Sequence, residues 1–543
     1  LLAAGLLTIS ACNGKAGESD ARDVDGEDGA GETENVNPEC LGDYQSCGTG
    51  CYQVCDCSHE KVSAAIDAAP AESTVHVPAG SCTWSSNLTI TKGLTLQGNG
   101  AGNTVITSDY NATNPGNTFA EGNFLIVYRP ASPESNEPLR LTGFTFDFAN
   151  KCGGILLTNP TAAPIDRVRV DHNMIQNAAF SGGSARAMIV GGTVYGVIDN
   201  NTFSGNASDI DAYGNNETSW DNLTFAFGGA DCMYYEDNTF TISDTPHAGG
   251  AGGRYCARYN TYTHVNSSAG MYPWFDMHGN MGEGGNYSTM GAEIYGNVVT
   301  MTNNNGVGMF DQRGGKAVIF DNKVNTTASC SAKAREEFDD SLNPTTSPQP
   351  QHVSDSYYWN NRAGTTLVTA PEPIEASGTA TGGGDDFLDD AGADFDTGFG
   401  GGRYGLVIHG GTGAGQSRLI VGATSTRLTV TPSWDTNPDA TSQYRIVDDC
   451  CDAIDENREF YNLDVAFDGT TGMGCGTLAS RPAACTVGVG YWATDQDCSI
   501  VPDESTGAHP AAPISGTLYT CSAPDTWTQY FTPHPYPHPL RGE

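Results

Sequence analysis

The chain has 543 residues, of which 68 are Gly and only 16% are charged. That composition excludes an architecture of long solvated helices and favours turn-rich β structure. A formal net charge of −39, with only 25 Lys and Arg, argues against nucleic acid as a partner and repels a polyanionic substrate unless cations mediate.

The opening stretch LLAAGLLTISAC reads as the remnant of a signal peptide through residue 11. Its end, Ile9-Ser10-Ala11-Cys12, resembles a bacterial lipobox. That resemblance implies lipidation of Cys12 and an exported protein held at a cell surface or outer membrane, or otherwise secreted. Elsewhere no run approaches the ~20 apolar residues of a spanning helix, so contact with a membrane is expected only through the lipid. Residues 12–37 are acidic and Gly-rich without apolar periodicity, which predicts a disordered tether. Beyond Cys12 the chain has 16 Cys, an even number suited to disulfides in an exported protein. Cys40, Cys47, Cys51, Cys55 and Cys57 cluster, with Cys82 close behind; disulfides are expected there, with a zinc site as the alternative.

Residues 59–69 form an amphipathic pattern with Val62, Ala65, Ile66 and Ala69 on one side, which predicts a short helix. TVHVPAG and LTITKGLTLQGNG follow. This order resembles the N-terminal cap and first rungs of pectate-lyase-like right-handed parallel β-helices. The resemblance implies an all-β solenoid over residues 38–370 whose open end the helix covers.

Asparagine then recurs at Asn173, Asn201, Asn238, Asn260, Asn297, Asn322 and Asn360. The first six have an apolar residue or Ala three positions before and an apolar or aromatic residue two after. That pattern puts each Asn at a bend between two strands with inward apolar side chains, stacked in a ladder. Residues 371–447 break the punctuation and read as an inserted small β module. Its acidic loop (Asp385, Asp386, Asp389, Asp390, Asp394, Asp396) is either a solvated turn or a Ca²⁺ site. Residues 448–543 should supply final rungs and a Cys- and Pro-rich cap over the C-terminal end.

One segment is written twice: Phe275-Asp276-Met277-His278-Gly279 and Phe310-Asp311-Gln312-Arg313-Gly314. Strand alternation turns Phe275 and Met277 inward and Asp276 and His278 outward. On adjacent rungs, ~4.8 Å apart, Asp276, His278, Asp311 and Arg313 should make a polar plate. The strands read as equivalent upstream, MIVGG and FAFGG, lack such groups, so the plate is expected to be local. Two aspartates so close should hold a cation, Ca²⁺ being the candidate, or share a proton. Either state suits a lyase, with His278 or Arg313 as base, or a glycosidase. Glu236, Arg258, Glu293 and Tyr295 form a second outward column, and Tyr272 and Trp274 precede the plate; these are the candidate sugar-binding residues. The Arg-x-Pro-x-x-Arg segment of pectate lyases is missing, so the resemblance carries over no catalytic set. The expected function is an extracellular, monomeric, carbohydrate-active protein that binds and cleaves an acidic polysaccharide. The alternative is a surface-anchored stalk that binds cell-surface glycan without cleaving it.

Overall fold

The computed structural model describes residue 40 and residues 42–542, apart from 118, 131–137, 160–162, 181–184, 216–219, 221–224, 244, 266–272, 281–286, 303–306, 326–329, 338–350, 449–453 and 495–502. The expected tether, Cys12 and Tyr272 lie outside the described residues.

The chain winds into a parallel β-helix. Each turn lays one strand in each of three sheets, which reach 13, 11 and 9 strands among the described residues. One turn runs through Ile165–Asp171 in the first sheet, Met174–Gln176 in the second and Met188–Gly192 in the third. The next turn stacks Val194–Asp199, Thr202–Ser204 and Ile210–Tyr213 on them in parallel. The helix His59–Ala68 closes one end, burying Val62, Ala65 and Ile66. The Cys57–Cys82 disulfide and a bond from Trp84 Nε1 to the Cys57 carbonyl (2.9 Å) tie it down. Covering the open end removes exposed core and sheet edge.

The bend between first and second sheets is built from the expected ladder. Asn260 Nδ2 donates to Asn297 Oδ1 (3.0 Å) and to the Tyr235 carbonyl (2.8 Å), and the pattern repeats from Asn173 through Asn322. The residue before each ladder asparagine is left-handed, from His172 (φ 55°) through Tyr259 (φ 55°) to Asn360 (φ 53°). Asn360 is therefore the bend residue, and Asn361 occupies the ladder, bonding Asn322 at 2.9 Å. The expected placement of Asn360 was off by one. Two residues past the ladder, Phe203, Phe240 and Tyr262 stack inside at 4.7 and 4.8 Å.

Ile374–Val447 contains an antiparallel seven-stranded sheet with its own core of Leu388, Leu406, Ile408, Ile420, Leu428 and Ile446. Its two ends meet, Ile374 pairing with Val447, and the solenoid resumes when Phe460–Asn462 pairs in parallel with Ser356–Trp359. The acidic loop is held by the module's own groups: Asp389 by Arg427, Asp390 by the Tyr444 hydroxyl, Asp385 by Asn437.

The C-terminal segment does not cap the end of the helix as expected. A four-stranded sheet from Met473 to Phe531 and a strap over residues 532–542 lie along the outer face of the first sheet. The cause is the composition of that face. Tyr234, Tyr259, Tyr295, Phe320 and Trp359 point outward there, and Trp492, Leu518 and Phe531 bury them. Cys47–Cys51, Cys57–Cys82 and Cys485–Cys521 are disulfides, which settles the Cys-rich cluster against zinc. Cys152, Cys232, Cys256 and Cys330 remain thiols.

Candidate functional site

The plate forms on the outer face of the third sheet. Pro273–Met277 and Val307–Gln312 are neighbouring parallel strands, and Asp276 stands in register with Asp311. Phe275 and Met277 are in the core. The column extends further than the repeat indicated, through Asp211, Ala248, Asp276, Asp311 and Lys333 on five successive rungs.

Asp211 exposes a third copy of the motif. Ile210-Asp211-Ala212-Tyr213-Gly214 matches the two segments already noted: an apolar residue, Asp, one residue, Tyr/His/Arg, then Gly. The closing glycine has a steric cause. A Cβ on Gly279 would come within 1.9 Å of the Glu337 carbonyl oxygen, and one on Gly214 within 2.4 Å of the Gly252 backbone. The plate is therefore not local to two rungs, and FAFGG does not belong to this sheet.

Each aspartate is matched by an arginine. Arg313 Nη2 donates to both oxygens of Asp276 (2.8 and 2.7 Å) and Arg313 Nη1 to Glu337 (2.9 Å). Arg335 holds Asp311 through Nε and Nη2 (2.9 and 2.8 Å). Arg186 pairs with Asp211. Burial works to raise the Asp276 carboxyl, but His278 and Arg313 outweigh it and hold it well below the usual carboxylate range. Burial works to lower Arg313, and Asp276 with Glu337 outweighs it, keeping the guanidinium charged. Arg313 therefore cannot be the base.

His278 is also committed. Arg313 Nη2 sits 2.9 Å from Nδ1, and Asp276 Oδ2 sits 3.2 Å from Nε2. A guanidinium only donates, so Nδ1 must accept and Nε2 carries the proton. The one lone pair that a general base needs is already engaged. The plate also does not fit Ca²⁺, which takes about 6–8 oxygens. Here Arg335 takes both oxygens of Asp311 through two nitrogens, a charge-assisted fork, and Arg313 Nη2 alone bridges both oxygens of Asp276. Neither a cation nor a shared proton is needed to relieve the aspartates.

The second expected column lies elsewhere. Glu236, Arg258 and Tyr295 occur in register on the first sheet, with Glu293 two residues before Tyr295. All four are fully buried. Arg258 donates to the carbonyls of His534 and Pro535 (2.6 and 2.9 Å), and Glu236 accepts from the His538 amide (2.8 Å). Arg258 and Glu236 bind the chain's own strap, Tyr295 accepts from Arg258 and Glu293 from the Gly228 amide, and all four lie on a different sheet from the plate. Trp274 is also in the core, beside His264, and offers no sugar platform. The sequence reading missed Arg186, Asp211, Arg335 and Glu337. Asp211 was legible from the third motif copy; the others follow from strand ends that no spacing marks.

No family model matches the chain, and no curated protein matches it. Among solved structures it is similar to the catalytic unit of an α-1,3-glucanase of family GH87 from Streptomyces thermodiastaticus (15% identity, 57% of this chain and 61% of that one, TM-score 0.33). It is also similar to the tailspike protein of E. coli bacteriophage HK620 (10% identity, 72% and 90%, TM-score 0.30). A Geobacillus virus E2 protein, ORF18, matches at 13% identity over 70% and 74%, with a TM-score of 0.32. Likeness at this level says nothing of activity. From its own sheets, the chain is a parallel β-helix protein that resembles the pectate-lyase-like solenoids in fold.

Proposed function

We propose that this chain is an exported glycan-binding solenoid that lays an extended polysaccharide along the outer face of its third sheet and does not cleave it. The observation that carries the reading is the run of three carboxylate–guanidinium pairs, Asp211–Arg186, Asp276–Arg313 and Asp311–Arg335, in one column. Each pair fixes its two side chains in place, and those of Asp276, Arg313, Asp311 and Arg335 keep a small exposed edge. Asp276 and Asp311 stand on adjacent rungs, ~4.8 Å apart, which nearly matches the rise of one sugar ring in an extended chain; Asp211 lies two rungs before Asp276, with Ala248 between them. Such pre-ordering lowers the entropy cost of binding.

The charge pattern supports a neutral glycan over an acidic one. The net charge is −39 and the arginines of the plate are each committed to a carboxylate, so a uronate chain would find repulsion without a ready cation. The disulfides fit an oxidising, extracellular setting. Lipid on Cys12 would tether the solenoid to a membrane surface. The lyase reading needs Arg313 to leave His278 Nδ1 first, and the hydrolase reading needs Arg313 and Arg335 to release Asp276 and Asp311.

Affinity electrophoresis through gels cast with neutral and acidic polysaccharides tests the proposal. The wild type should be retarded by a neutral polysaccharide, and Asp276→Asn should weaken that retention about 10-fold. Wild-type migration unaltered by every polysaccharide would contradict it.

A further inference from the structure

Among the described residues the Asp column ends at Lys333, on the last strand of the third sheet, Cys330–Ala334. Beyond that edge, where the chain leaves for the inserted module, lies a cavity of about 270 Å³. Lys333, Arg335, Glu372, Glu375 and Asp448 supply its polar lining. Pro371, Pro373 and Ile374 supply an apolar wall. Asp448 is only 7% exposed, and Arg403 fixes it with a 2.6 Å hydrogen bond. Lys333 reaches Asp448 at 3.8 Å, a loose contact, and its side chain is 46% exposed. Arg335 is the fork that holds Asp311, so the cavity is continuous with the plate through one shared side chain.

We propose that this cavity is the terminal subsite of the glycan face and takes one neutral pyranose ring. The inference rests on the glycan-binding reading and adds both the place where a chain ends and the class of its last sugar. Three features select the ligand. The volume falls just below the ~300 Å³ at which pockets begin to take drug-sized ligands, which suits a single ring. The proline and isoleucine wall matches the C–H face of a pyranose. Carboxylates that accept and cations that donate stand around one space, the arrangement a vicinal diol satisfies on both sides. A uronate would instead meet Glu372, Glu375 and Asp448 with like charge.

The sequence supports this placement. Pro371 and Pro373 flank Glu372 and hold the segment extended, because each proline fixes its own φ and restricts the residue before it. The module therefore presents its first carboxylates at a set distance from the solenoid edge. The module's entry and exit segments both line the cavity, through residues 371–375 and Asp448.

The test is isothermal titration with cellulose-, laminarin-, starch-, galactan- and mannan-derived oligosaccharides, and with an oligogalacturonate of matched length. Two full-length variants are compared with wild type: the double variant Lys333→Gln/Glu372→Gln, which removes surface charges, and Ile374→Trp, which fills the mouth without changing charge. Neutral oligosaccharide should bind the wild type, and each variant should bind about 10-fold more weakly. Failure of every oligosaccharide to bind wild type would overturn the glycan reading and this subsite with it. Wild-type affinity in both variants would overturn the subsite and leave the glycan reading standing. Tighter binding of oligogalacturonate than of any neutral chain would overturn the neutral assignment.

Discussion

Arg258 and Glu236 meet on neighbouring rungs, Nη2 to Oε2 at 2.7 Å, with neither side chain exposed to solvent. The pair is closed from above by the strap, which supplies the His534 and Pro535 carbonyls to Arg258 and the His538 amide to Glu236. Breaking a buried pair strands the remaining charge. Arg258→Met should therefore cost ~3–5 kcal/mol and free residues 534–541 for amide exchange. Denaturant unfolding with hydrogen exchange reads both. A variant as stable as wild type would show that the strap is held by its aromatic contacts alone.

The ladder makes a sharper prediction about two adjacent asparagines. Asn361 accepts from the Asn322 side chain (2.9 Å) and donates to the Ile319 carbonyl (2.8 Å), both buried. Asn361→Ala should cost ~1–3 kcal/mol for the unsatisfied groups it leaves. Asn360, at φ 53°, stands outside the ladder and bonds Asp321 (2.7 Å) and Arg362 (2.9 Å) instead. Asn361→Ala should therefore be non-additive with Asn322→Ala, and Asn360→Gly additive with it; the reverse would contradict the assigned ladder.

The module should be removable. Ile374 and Val447 are hydrogen-bonded neighbours at its base, so a short linker can join the flanks without moving them. Deleting 374–447 should leave one cooperative unfolding transition for the solenoid, while the separate module keeps the core around Leu406 and Ile446. A deletion variant without a cooperative transition would place the module inside the solenoid's folding unit.

Glu293 gives a pH prediction. Burial pushes its carboxyl up to about 7, against the Gly228 amide that lowers it. The unfolded value is ~4.3. A raised acid stabilises fully below the unfolded value, and that stability is lost as pH rises through the folded value. Between pH ~4.3 and about 7 stability should fall. Asp209 and Asp321, also raised to about 7 by burial, act in the same direction. Glu293→Gln should gain stability over wild type at the alkaline end of that window and little at the acid end. A constant difference across the window would mean Glu293 is not titrating there.

The solenoid was legible because its signals are local and repeated. The short helix over 59–69, the ladder from Asn173 to Asn322 and the inward Phe275 and Met277 follow from periodicity, while the helix's place as a cap came from the resemblance to pectate-lyase-like solenoids. Asn360 was misplaced because it was counted by letter. The test of an apolar residue three before and two after selects Asn361, which has Tyr358 and Ala363 in those positions, over Asn360, which has Tyr357 and Arg362. The plate's aspartates and their outward direction were legible for the same reason. Arg313 was legible beside them, but Arg335 and Glu337 were not: they come from the next rung, and loop length hides which residue lands there. The Glu236–Arg258 column was misread as open surface. Runs such as MYY and AVIF are apolar or aromatic on both alternations, the signature of strands buried on both faces. That signal pointed to a covering layer, and the C-terminal segment is that layer.

The central claim is that the plate binds glycan without breaking it, because the lone pair of His278 is spent on Arg313. The direct measurement is incubation of the wild type and His278→Ala with the polysaccharide that retards the protein most, scored for new reducing ends and for unsaturated ends. The account predicts that neither kind of end appears above the protein-free blank for either protein, while the wild type still binds. New chain ends that form with the wild type and vanish with His278→Ala would contradict it.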